Sequence, residues 1–144
     1  KRVNDQYKED KIIMTPDAYT YDVYSYIVQS NINYVSVMFR VVDFEGWAHP
    51  YHDIITYNYD VKNHKELFLT DFISLVDASA YAKKELSPVI KNEGENLIEG
   101  GIDPKQPENF KNFTFTTNDI TIYFLRYQVA SYAFGDLEIT IPRK

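Results

Sequence analysis

The stretch Tyr34-Val35-Ser36-Val37-Met38-Phe39-Arg40-Val41-Val42-Asp43-Phe44 decides the fold class. Val35, Val37, Phe39 and Val41 fall on one side of an extended chain, with Ser36 and Arg40 on the other. A period of two marks a strand with one buried face. Tyr51 to Val61 repeats the pattern, with Ile55, Tyr57, Tyr59 and Val61 opposite His52, Thr56, Asn58 and Asp60. In both segments the apolar set is expected to face the core. Upstream, Tyr19 to Val28 alternates less regularly, and Ser30-Asn31-Ile32-Asn33 supplies turn chemistry after it. Three consecutive strands with short connections predict an antiparallel meander.

Downstream the texture becomes helical. Thr70 or Asp71 is a candidate N-cap, because a short side-chain oxygen satisfies the unpaired donors of a first helical turn. Ala78, Ala82, Leu86 and Val89 then line one helical face, and Pro88 should kink or end the helix nearby. Asn92 to Asn109 carries Gly94, Gly100 and Gly101 with two prolines, and reads as a long loop. Strand patterning returns at Phe113 and Phe115. Thr117-Asn118-Asp119 forms a turn, Ile120 to Tyr127 runs back, and Leu137 to Ile141 alternates until Pro142. The expected fold is α+β: an antiparallel meander sheet with one main helix packed on a face. Residues 1–17 read as a flexible, polar lead-in, and residues 18–144 as a single domain.

Composition narrows the function. With 13 Tyr and 9 Phe among 144 residues, the chain favours sheet structure and carries material for an aromatic contact surface. A formal charge of −6 argues against nucleic acid, which rewards clustered Lys and Arg. The absence of cysteine excludes disulfides, thiolate metal sites and a thiol nucleophile. No apolar run reaches the roughly 18 residues of a membrane span. The first residue is Lys1, which fits removal of an upstream signal or anchor.

Chemistry is sparse. The glycines form no phosphate-binding loop, and no serine elbow is present. No cofactor is expected. His49, His52 and Asp53 are zinc-ligand types within five residues, and they define the alternative reading of a metal-dependent hydrolase. Against it, an odd spacing places the two histidines on opposite faces of a strand. The main reading therefore assigns no catalytic and no metal-binding residue.

Three pieces in order carry a resemblance: Phe44-Glu45-Gly46-Trp47-Ala48-His49-Pro50, then Lys65-Glu66-Leu67-Phe68-Leu69-Thr70-Asp71-Phe72, then Asn112 to Phe124 continuing through Tyr127-Gln128-Val129-Ala130-Ser131-Tyr132-Ala133-Phe134-Gly135 to Pro142. The chain from Tyr19 onward resembles the bacterial extracytoplasmic domain of unknown function found in the anti-sigma factor RsiV and beside the catalytic domain of the peptidoglycan deacetylase PdaC. Trp47 stands where that family has a second glycine, and Ser131 where it has proline. Both changes predict altered loop shape. The resemblance implies an extracytoplasmic, non-catalytic binding or sensing domain, with a lysozyme-like protein or cell-wall peptidoglycan as partner. A purely structural envelope domain is a further alternative. Candidate contact residues are Trp47, His49, Tyr51, Tyr127 and Tyr132, aromatic groups suited to stacking on sugar or filling a protein cleft.

Overall fold

The computed structural model describes residues 19–46 and 49–143. Trp47 lies outside them, as do Ala18 and the whole lead-in of residues 1–17. Among the described residues, seven strands and one long helix make an α+β fold. Strands β1 (Tyr19–Ser30), β2 (Tyr34–Glu45), β3 (Tyr51–Asp60) and the short β4 (Lys65–Glu66) form one antiparallel meander in chain order. Helix α1 (Leu75–Asn92) follows, and β5 (Phe113–Phe115), β6 (Asp119–Phe124) and β7 (Leu137–Pro142) form a second antiparallel meander. The turn after β1 is closed by Asn31, whose Oδ1 accepts the backbone N–H groups of Asn33 and Tyr34, both at 2.8 Å.

The main core lies between α1 and the three-stranded sheet. Ala78, Ala82, Leu86 and Ile90 line the buried helix face, and they pack with Phe113, Phe115, Ile120, Ile122, Phe124, Ile139 and Ile141. Val89 is exposed and Ile90 takes its place, since spacings of four keep one face over more than three turns. The N-cap is Ser74, whose Oγ accepts the Asp77 N–H at 3.1 Å, whereas Thr70 and Asp71 belong to a separate 3-10 turn. Pro88 lies on the exposed side, and the helix continues through it to Asn92, held by the buried Ile90 on its other face.

Along β3 and the first half of β2 the four-stranded sheet reverses the expected facing, whereas Val41 is buried as expected. Ile55 and Tyr57 are exposed, while Ser36, Asn58 and Asp60 are buried along with Met38 and Ile54. Hydrogen bonding explains the reversal. The inner face of β2 and β3 meets the free edge of β5, and side chains complete that strand's backbone bonding. Ser36 Oγ accepts the Phe115 N–H at 3.1 Å, and Asn58 Nδ2 donates to the Phe113 carbonyl at 2.8 Å. Thr56 Oγ1 accepts the Phe113 N–H at 3.1 Å, and Ser36 donates to Asn58 Oδ1 at 2.6 Å. Buried backbone groups must find partners. Here a row of small polar side chains does the work of a ladder strand and joins the two sheets. The even-numbered residues face inward because they carry those groups.

Candidate functional site

The site forms where the β2–β3 turn meets the excursion from Leu125 to Asp136 that connects β6 to β7. The excursion is anchored from the protein side. Gln128 Nε2 donates to the Gly101 and Asn109 carbonyls at 3.0 and 2.9 Å, and its Oε1 accepts the Leu125 N–H at 3.1 Å. Val129 and Ala130 are buried in the main core. Ser131 donates to Glu95 Oε1 at 2.7 Å. The long loop from Asn92 to Asn109, which contains two 3-10 turns, thus clamps the aromatic segment from behind. Gly101 is needed there, because a Cβ would collide with the Gln128 carbonyl. The return turn ends at Gly135 with φ 70° and ψ −156°, a conformation open essentially to glycine alone.

With Gln128, Val129 and Ala130 turned inward, Tyr127 is turned out. It is 66% exposed and sits at φ 65°, in the left-handed region that an aromatic residue rarely occupies. Its ring lies 5.5 Å from that of the half-buried Tyr132, and the exposed His49 ring lies 5.0 Å from Tyr132. His49, Tyr132 and Tyr127 therefore form a short aromatic ladder across the two segments. Arg126 holds its middle rung: the guanidinium stands 4.8 Å over the Tyr132 ring and Nη1 donates to the phenol oxygen at 2.7 Å. Asp136 ties this to the four-stranded sheet, pairing with Arg40 at 3.3 Å and with Arg126 Nε at 3.8 Å, and accepting the Arg126 N–H at 3.3 Å.

Tyr51 is 58% exposed and lines, with His49, a hollow of about 380 Å³ on the outer face of the sheet. Asp43, Glu45 and Asp53 are its acidic lining, and Tyr21 completes its aromatic wall. Of the five residues singled out from sequence, the structure brings His49, Tyr127 and Tyr132 into one cluster and sets Tyr51 beside His49. Sequence reasoning missed Arg126, Asp136 and Arg40. The first two flank the aromatic run as an opposite-charge pair, a signal that was legible. Arg40 is four strands away in sequence and carries none.

His52 and Asp53, adjacent on β3, point to opposite sides of the sheet. His52 faces inward, where burial and then the positive charge of Arg126 lower its pKa below 6.5 against the raising effect of Asp136. Asp53 lines the outer hollow and accepts the Ile54 N–H at 2.8 Å. Among the described residues no three His, Cys, Asp or Glu side chains converge as a metal site.

Residues 65–144 match the family model described as a protein of unknown function, DUF3298. The chain belongs to the DUF3298 family. It is 29% identical over 118 residues to the peptidoglycan-N-acetylmuramic acid deacetylase PdaC of Bacillus subtilis, covering 76% of this chain and 24% of that protein. The chain thus spans about a quarter of that relative's length. Two family structures share the fold. A Bacteroides fragilis member superposes with a TM-score of 0.67 at 20% identity, over 98% of this chain and 59% of its own. A Pseudomonas aeruginosa member gives 0.63 at 16% identity, over 94% and 63%. The family match begins at β4, and both structures extend the likeness back across β1 to β3, which supply Tyr51, His49 and Arg40 to the site.

Proposed function

We propose that this DUF3298 chain is a non-catalytic binding module of the bacterial cell envelope, and that the His49–Tyr132–Tyr127 ladder with the adjoining Tyr51 hollow is its contact surface. The carrying observation is Tyr127. A large side chain held outward at a positive φ costs on the order of 1–3 kcal/mol locally, and such strain persists where the surroundings enforce it. Packing does not account for it, since the ring is mostly in water. Kinship with a peptidoglycan deacetylase supports the envelope setting.

Two partner classes follow from the chemistry. A lysozyme-like cationic protein suits an acid-lined hollow with tyrosine walls on a chain of net charge −6. A cell-wall glycan is favoured separately by the ladder itself, because sugar rings stack on exposed aromatic faces. Calorimetric titration of the chain with lysozyme and with peptidoglycan disaccharide fragments tests both. Heat with either, reduced at least tenfold by Tyr132→Ala, supports the module. No heat with either, at concentrations up to 1 mM on the order expected of weak recognition, would leave a purely structural domain.

A further inference from the structure

A second surface lies along the edge of β3 that faces away from β2. Strand β4 pairs only with Tyr59 and Asp60, and the Leu67 N–H adds one bond to the Asn58 carbonyl. Upstream of that point, among the described residues, no strand pairs with the edge of β3 that faces away from β2. Because Asn58 directs its carbonyl outward, Thr56 and Ile54 direct their backbone groups the same way, at the spacing of alternate residues. The Ile54 N–H is already taken by the Asp53 carboxylate at 2.8 Å. The Ile54 carbonyl and both backbone groups of Thr56 face the open edge.

This edge opens into a groove of about 470 Å³ bounded by the segments 66–70 and 107–113. Ile55, Leu69, Leu75 and Phe110 give it apolar walls, and Phe68, 60% exposed, forms its lip. The charged lining is Asp53, Glu66, Glu108 and Lys111, and Lys111 is matched by Glu108 at 3.5 Å. The remaining acids leave the groove anionic. An open strand edge is ordinarily shielded by charge, proline or a covering element. Here a single carboxylate shields one donor, and the rest stays open over apolar walls.

We propose that this groove binds an extended, cationic segment of a partner protein by strand addition to β3. The segment pairs its backbone with Thr56 and Ile54, sets alternate apolar side chains against Leu69 and Phe110, and places lysine or arginine near Glu66 and Asp53. Main-chain bonding supplies the affinity and the pockets supply the selectivity. From Ile54 to Asn58 the edge runs roughly 13 Å, at about 3.3 Å per residue, so about five residues of the segment engage it.

The test uses an acetylated, amidated heptapeptide alternating lysine and valine, titrated into the labelled chain while backbone amide shifts are followed. Shifts are expected at Ile54 to Asn58 and along 107–113. Two N-methylated versions are compared, one blocking the lysine amides and one the valine amides. Strand addition uses one set only, so one version loses at least tenfold in affinity and the other stays within about twofold. Glu66→Lys, an exposed change, weakens the parent peptide several-fold, and Tyr127→Gly leaves it unchanged. Equal affinity of both methylated versions, shifts confined to the outer edge of β1, or no shift at millimolar peptide would each overturn the proposal.

Discussion

Replacing Asn58 by leucine should cost this domain a substantial part of its stability, although leucine has the same number of side-chain heavy atoms, the same branching and greater apolarity. Asn58 is 3% exposed, accepts from Ser36 and donates to the Phe113 carbonyl. Asn58→Leu leaves the buried Phe113 carbonyl without its donor and the Ser36 hydroxyl proton without an acceptor, while Ser36 Oγ still accepts the Phe115 N–H. Each costs about 1–3 kcal/mol, and the added apolar burial returns about 1 kcal/mol, so the net loss is about 3 kcal/mol. Against a whole-domain stability of about 5–15 kcal/mol, this lowers Tm by about 10 °C for a chain of this size. The comparison variant is Tyr57→Ser on the neighbouring position of β3, whose side chain is 44% exposed; it should cost less than about 1 kcal/mol. Urea unfolding followed by circular dichroism gives both values. The reasoning fails if Asn58→Leu is neutral or stabilising, or if Tyr57→Ser costs more, because either result means the apolar alternation marks the core after all.

Further outcomes follow from the same structure. Gly101→Ala should destabilise by about 1–3 kcal/mol, through collision with the Gln128 carbonyl, and loosen the aromatic excursion, visible as faster amide exchange from Tyr127 to Gly135. Ser74→Ala should cost about 1 kcal/mol through loss of the helix cap, read from the same urea unfolding. Acid should lower Tm in two stages. His52 is held below its ordinary 6.5, so the unfolded chain takes up its proton first and stability falls as pH drops below about 6.5. Asp60, bonded by Asn63, and Asp71, bonded by the Phe68 N–H and by Lys65, lie below 3.8; their contribution is present above that value and is lost below it. Melting curves from pH 3 to 8 show both stages, and His52→Gln should remove the upper one alone.

Much of this architecture was legible. The strands β1 to β3, the turn at Asn31 and the helical stripe through Ala78, Ala82 and Leu86 all follow from periodicity, since period and turn chemistry are local properties. Which face of a strand is buried is not local. The alternation of Tyr57 and Tyr59 against Asn58 and Asp60 was visible, yet its sense was set by the unpaired edge of β5, more than fifty residues downstream. Pro88 shows a related limit: the helix runs one further turn beyond it before ending at Asn92, because the burial of Ile90 outweighs the local penalty. At the site, the aromatic residues announced themselves by type. Their arrangement did not, because the ladder depends on Arg126 and Asp136 closing a loop onto Arg40 across the sheet interface.

The contact-surface reading is tested most directly by Tyr127→Gly, with Tm and the binding heat for lysozyme and peptidoglycan fragments measured on one preparation. Glycine accepts φ 65° freely, so the substitution removes the strain along with the exposed ring. The account predicts a Tm no lower than the parent's and an affinity at least tenfold weaker. A lower Tm with unchanged affinity would show that Tyr127 serves the fold, and would contradict the assignment of this surface to binding.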